Sequence, residues 1–281
     1  MSKTAIAAGV LSFTLCLARG SALYSDLPVT LPPNLPSLGY EANQTAEFGG
    51  LVGFAGGAPI AIDSVTVAMS NWAYASQWGA LGVSPGYDIP LTLDLYAVGP
   101  GDTVGALIAS ETVDAFIPWR PEPADCPDDA YQAGNGQCYN GSLSTVTFTF
   151  SDLSVPQQLI YGLAYNTSNY GSSPTGVSGP YDSLNFALAS TGAVVGTDPL
   201  PGTAYWNTTT AGDYADGGAA GVGIFRQDQG WSPYTGAIDF DGTAAPEPGT
   251  LPLLAGAGLM FCGAALLQRH RHRRQATSTH R

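Results

Sequence analysis

In several stretches between positions 46 and 240 the apolar residues of this chain recur at every second position. Val65, Val67 and Met69 alternate with Ser64, Thr66 and Ala68. Leu91, Leu93, Leu95 and Ala97 oppose Thr92, Asp94, Tyr96 and Val98, and Val146, Phe148 and Phe150 oppose Thr145, Thr147 and Thr149. A period of two places one set on a single face of a strand. Shorter runs rich in β-formers lie at Leu159 to Tyr165, Leu184 to Ala189, Val222 to Phe225 and Ala237 to Phe240. Turn clusters separate them: Ser84-Pro85-Gly86, Gly99-Pro100-Gly101-Asp102, Ser173-Pro174-Thr175-Gly176 and Asp216-Gly217-Gly218. Many short strands with Gly/Pro punctuation predict an all-β, antiparallel β-sandwich, with a jelly-roll as the leading variant. The stretch Leu31-Pro32-Pro33-Asn34-Leu35-Pro36 reads as an extended arm, so residues 23–45 are expected to precede a domain spanning 46–245.

The two ends differ from this pattern. Lys3, the apolar stretch Ala5 to Ala18 and the small residues Gly20-Ser21-Ala22 have the order of a secretory signal peptide over residues 1–22. Cleavage by signal peptidase is expected between Ala22 and Leu23. At the other end an apolar run, Leu251 to Leu267, measures roughly 26 Å at ~1.5 Å per helical residue, near the bilayer core thickness. Arg269, Arg271, Arg273 and Arg274 follow it. That basic cluster would hold the far end of a transmembrane helix in the cytoplasm, with residues 275–281 as a cytoplasmic tail.

Pro246, Glu247 and Pro248, the single apolar helix and the Arg-rich end resemble, in that order, the PEP-CTERM sorting signal of bacterial surface proteins, here residues 246–274. The resemblance implies that Pro246, Glu247 and Pro248 are recognised by an exosortase-like membrane enzyme that cleaves near them. The protein would be membrane-anchored first and pass to the cell surface or extracellular matrix after processing. Pro121-Glu122-Pro123 repeats the tripeptide, but polar Ala124-Asp125-Cys126-Pro127 follows it, so no helix enters a membrane there. Tyr24-Ser25-Asp26-Leu27-Pro28, Gln44-Thr45-Ala46-Glu47-Phe48-Gly49, Ile117-Pro118-Trp119-Arg120-Pro121 and Phe225-Arg226-Gln227-Asp228 are similar to phrases in a group of uncharacterised secreted bacterial proteins. That likeness implies no activity.

Charge excludes whole classes of function. Between Leu23 and Ala245 there are twenty-one carboxylates against two basic residues, Arg120 and Arg226, a net charge of −19 with no histidine or lysine. Nucleic acid is not a partner, because phosphate binding needs a basic face. Gly82-Val83-Ser84-Pro85-Gly86 matches a nucleophile elbow, yet no histidine can serve as base and Pro85 lacks the N–H of an oxyanion hole. No catalytic residue is assigned. Carboxylate-pair glycoside hydrolysis is the enzymatic chemistry that survives.

Cys126 and Cys138 flank a polar loop, and their spacing in an exported chain points to a structural disulfide. Asp125, Asp128 and Asp129 lie in or beside that loop, and calcium is the cation such acidic loops would hold. Trp72, Tyr74, Trp78 and Trp206 stand among polar residues. Exposed aromatic faces beside amides and carboxylates are how β-sandwiches can hold sugar rings. The expected function is a non-catalytic surface or matrix-associated protein engaging extracellular polysaccharide. The alternatives are a glycosidase and a purely structural surface protein.

Overall fold

The structure is a computed structural model that describes residues 21–245. The sorting motif, the apolar run 251–267, the arginine cluster and most of the signal peptide lie outside the described residues. In chain order the strands begin with β1 (Ser21–Ser25), β2 (Ser37–Gly39), β3 (Thr45–Gly53), β4 (Gly57–Asn71) and β5 (Gly86–Val98). Next come β6 (Val104–Pro118), β7 (Tyr131–Gln132), β8 (Cys138–Tyr139), β9 (Ser142–Val155) and β10 (Gln158–Ala164). The last are β11 (Leu184–Ala189), β12 (Thr203–Thr208), β13 (Arg226–Gln229), β14 (Thr235–Gly236) and β15 (Ile238–Ala245). Among the described residues the helices are short 3-10 turns, and none is long and apolar enough to cross a membrane.

The strands form two large antiparallel sheets. One runs β1-β15-β4-β11-β14, with β9 also on β4 and β2 also on β11. The other runs β13-β12-β3-β10-β5-β6. The alternation sets their facing sides. Val65, Val67 and Met69 of β4 and Phe148 of β9 share one buried cluster with Leu91, Leu93 and Leu95 of β5, Phe48 of β3 and Leu163 of β10. Fully burying a side chain of this size contributes about 1.5–3 kcal/mol. The polar positions face outward, where the hydroxyls of Thr66 and Thr147 meet at 2.9 Å and those of Thr92 and Thr112 at 2.8 Å.

Two expectations are corrected. Residues 23–45 are not an arm ahead of the domain. β1 pairs with β15, β2 pairs with β11, and Leu23, Tyr24, Leu38 and Tyr40 are buried in the core. Val222 to Phe225 is not a strand; Val222 and Ile224 are exposed, and pairing begins one residue later at Arg226. β6, 15 residues long, is an edge strand whose Val113, Ala115 and Ile117 turn to the core while Thr112, Asp114 and Phe116 face out.

β1 and β15 also fix where the chain enters and leaves. Ser21 lies opposite Gly242, and Ala245 lies opposite Gly57. Both points are at one end of the same sheet. β4 then runs 15 residues to Asn71 at the opposite end, roughly 45–50 Å at ~3.3 Å per residue.

Candidate functional site

Three of the four aromatic residues picked out above meet at that far end. Asn71 makes the turn out of β4. Its Oδ1 accepts from Ala73 N–H and from the Tyr87 hydroxyl, both at 3.1 Å, and its Nδ2 donates to Pro118 O at 2.8 Å. Trp72 follows and is 40% exposed, with its Nε1 donating to Ser70 Oγ at 3.1 Å. Ser70 in turn donates to Asn34 Oδ1 at 2.7 Å, which ties the proline-rich stretch to the same corner. Trp78 is half-buried in the next turn, and its Nε1 is buried without a partner. Leu81, Val83 and Phe116 add exposed apolar surface.

Tyr74 has a different task. The Arg120 guanidinium carbon sits 4.4 Å from its ring centroid, a cation–π contact. Arg120 is buried and makes no carboxylate ion pair. It donates to Trp72 O at 2.8 Å, Pro121 O at 2.9 Å and Asp129 O at 2.6 Å. Burial lowers its pKa, and the surrounding Tyr74, Asp129, Tyr131 and Glu122 oppose that shift. Glu122 accepts from both the N–H and the hydroxyl of Ser76. The Trp72–Trp78 loop is therefore bolted to the segment that carries the disulfide.

Cys126 and Cys138 are bonded, with Cα atoms 5.8 Å apart. Inside the loop β7 pairs with β8, a short hairpin the sequence did not announce. Asp125, Asp128 and Asp129 are exposed, and each adopts a left-handed backbone with φ near +55° to +59°. They act there as turn residues. Among the described residues no group of three His, Cys, Asp or Glu side chains gathers in a way that could hold a metal ion.

Trp206 belongs to the core, which corrects its place among the ligand aromatics. It is 3% exposed, lies edge-on to Phe48 and Trp231, and donates Nε1–H to Thr45 Oγ1 at 2.9 Å. β12 is flanked by β3 and β13, so the inward position on it is covered from both sides.

A second cluster, absent from the sequence reading, lies on the outer face of the six-stranded sheet. Asp94 of β5 lies opposite Gly162 of β10, Glu47 of β3 lies opposite Ala164 with its carboxyl over Gly162, and the Tyr96 hydroxyl donates to Glu47 Oε1 at 3.0 Å. Burial pushes the Glu47 carboxyl up to about 7; the Tyr96 bond lowers it and the Asp94 charge raises it. Burial and the two carboxylates push the Tyr96 phenol up. Phe225 packs on Tyr96 and Tyr205 and forms one wall of a groove of about 670 Å³, which Ile224, Gln227 and Gln229 also line. Pockets of this size are the usual range for small ligands.

A scan against protein-family models, a search of curated proteins and a search of solved structures each returned no match.

Proposed function

We propose that this is an exported, non-catalytic surface or matrix-associated protein that binds extracellular polysaccharide at the loop end carrying Trp72 and Trp78. The observation that supports the reading most is the placement of Trp72. An indole 40% exposed, set in a polar network of Ser70 and Asn34, offers an apolar face with hydrogen-bonding groups at its rim. It also lies at the end of β4 opposite Gly57, the partner of Ala245. A chain held through a C-terminal sorting signal of the PEP-CTERM type would present this end away from the membrane. The signal helix, the membrane helix, processing by an exosortase-like enzyme and the jelly-roll variant belong to the same reading.

The test is to incubate the exported protein with a panel of polysaccharides, with and without calcium, and to assay both retention and release of reducing ends. Retention without release supports binding. Its loss in Trp72→Ala, with the thermal transition unchanged, assigns the site. No retention on any glycan favours a structural coat protein.

The glycosidase reading draws on one specific observation, the Glu47 carboxyl that accepts the Tyr96 hydroxyl on the same sheet face as Asp94, and that burial raises to about 7. A carboxyl raised by burial suits the acid role of glycoside hydrolysis, which needs a second carboxyl group nearby. Release of reducing ends that Glu47→Gln abolishes would establish it in place of the binding function.

A further inference from the structure

Among the described residues two side chains carry positive charge. Arg226 pairs with Asp216 at 2.8 Å, and Arg120 is held by three carbonyl oxygens. Neither serves Asp239, which points outward from β15 beside the first strand. The Ser25 hydroxyl donates to its Oδ2 at 3.0 Å. Its Oδ1 is buried and has no donor. A cavity of about 340 Å³ opens over it, walled by Ala22, Leu27, Val29, Leu31 and Val195. A buried carboxylate oxygen without a donor is costly, the more so when charged. A carboxylate in mostly apolar walls suits a compact cationic donor, and an ammonium offers three N–H groups to one oxygen.

The strand register identifies that donor. Ala22 lies opposite Asp241 and Ser25 opposite Asp239, with a bulge between Ala22 and Tyr24. The bulge turns both Leu23 and Tyr24 into the core, at 1% and 2% exposure. We propose that cleavage between Ala22 and Leu23 creates an α-ammonium that enters this cavity and pairs with Asp239 Oδ1, so that signal removal completes the fold of the first strand. The proposal rests on the signal-peptide reading of residues 1–22. Once Ala22 is gone, the nitrogen has little freedom to turn away. The Leu23 side chain is buried, and its carbonyl accepts the Ala55 N–H at 2.7 Å. Asp241, opposite the departed residue, adds a second carboxylate on the same face.

The other titratable groups beside the strand are Tyr24, Asp26 and Asp198. Asp26 is already occupied by the Tyr24 hydroxyl, the Thr235 hydroxyl and the Ile238 N–H. Asp198 accepts the Leu200 N–H. No basic side chain of the described residues bonds to β1.

The experiment reads the amine itself. The exported protein is purified, its N-terminal residue is established by intact mass, and the pKa of its α-amine is taken from the pH dependence of acylation. The expected result is an N-terminal Leu23 whose ammonium titrates above the ordinary range of about 7.7–8.0. Labelling at neutral pH should be at least ~10-fold slower than in unfolded chain, as a pKa raised by about one unit requires. Asp239→Asn should bring the pKa down to that range or below it. A form begun at Ser21, whose amine is displaced by two residues, should titrate ordinarily even where Asp239→Asn folds poorly. An N-terminal Leu23 that titrates at or below the ordinary range would overturn the ion pair and leave the signal-peptide reading intact. Cleavage at another position would remove the ion pair alone, and an uncleaved N-terminus would remove both.

Discussion

Oε1 of Glu47 occupies the space where Gly162 would carry a side chain: a Cβ built there would lie 2.0 Å from that oxygen. The carboxyl is thus seated on bare backbone between two neighbouring strands, and the glycine is what makes the seat. Gly162→Ala should force Glu47 off the sheet and lose its bond from Tyr96, a destabilisation of about 1–3 kcal/mol. Glu47→Ala in the Gly162→Ala background should recover most of the loss. Urea denaturation of the four proteins of this cycle measures the coupling. Additive losses would show that the two positions do not meet.

Asp26 makes stability depend on pH in an unusual direction. It is 1% exposed, and burial pushes its carboxyl up to about 7 against the lowering effect of the bonds from Ile238, Thr235 and Tyr24. The folded state therefore holds a proton that the unfolded chain releases near pH 4. Between about pH 4 and 7 folding takes up protons, so this contribution is complete at the acid end and is lost as pH rises through 7. Its ceiling is on the order of 4 kcal/mol. Glu47, raised to about 7 by burial, adds a change of the same sign. The thermal midpoint should fall from pH 5 to pH 8, and Asp26→Asn should flatten that slope. A midpoint that climbs steadily over this range would contradict the assignment.

The parts legible in the sequence are those where one strand states its own environment. β5, β9 and the middle of β4 alternate because one face is core and the other is largely open, whereas Val67 to Asn71 of β4 are buried on both faces. β3 was missed because Gly49, Gly50 and Gly53 leave gaps in its pattern, and two of the three are needed for close approach. A Cβ on Gly49 would lie 1.8 Å from Tyr161 O, and one on Gly53 2.5 Å from Thr197 Oγ1. The disulfide was legible from the spacing of Cys126 and Cys138 about a polar loop. The Glu47, Asp94 and Tyr96 cluster was not, because it exists through the pairing of β10 with β3 and β5. Nothing local to any of the three residues records that register. Trp206 was misplaced for the opposite reason: Asn207 and Thr208 beside it look wet, but Thr208 is buried and donates its hydroxyl to Asn43 O at 2.8 Å.

Opening the Cys126–Cys138 bond should weaken one corner rather than the whole fold. The bond closes a loop of 12-residue separation, for which the chain-entropy account gives about 3 kcal/mol. Its hairpin, β7 with β8, belongs to neither large sheet. Cys126→Ser with Cys138→Ser should therefore lower the thermal midpoint while leaving the far-ultraviolet β signal intact, and should expose Tyr131 to faster amide exchange. Loss of the β signal would mean that the loop is required for the sheets to form.

Arg120 offers the sharpest link between this corner and ligand binding. One guanidinium joins the carbonyl of Trp72, the ring of Tyr74 and the carbonyl of Asp129. Its backbone N–H also donates to Ala73 O at 3.1 Å. Arg120→Ala removes a buried side chain together with the donor to three carbonyl oxygens and should cost about 2–4 kcal/mol. Arg120→Lys keeps the charge but lacks the planar fork that reaches three acceptors at once, so it should recover only part of that loss. If Trp72 is the sugar platform, both variants should weaken glycan retention more than they lower the thermal midpoint, in the order Ala below Lys. Retention that is unchanged in a folded Arg120→Ala protein would show that the platform does not depend on this anchor, and would move the search to the Phe225 groove.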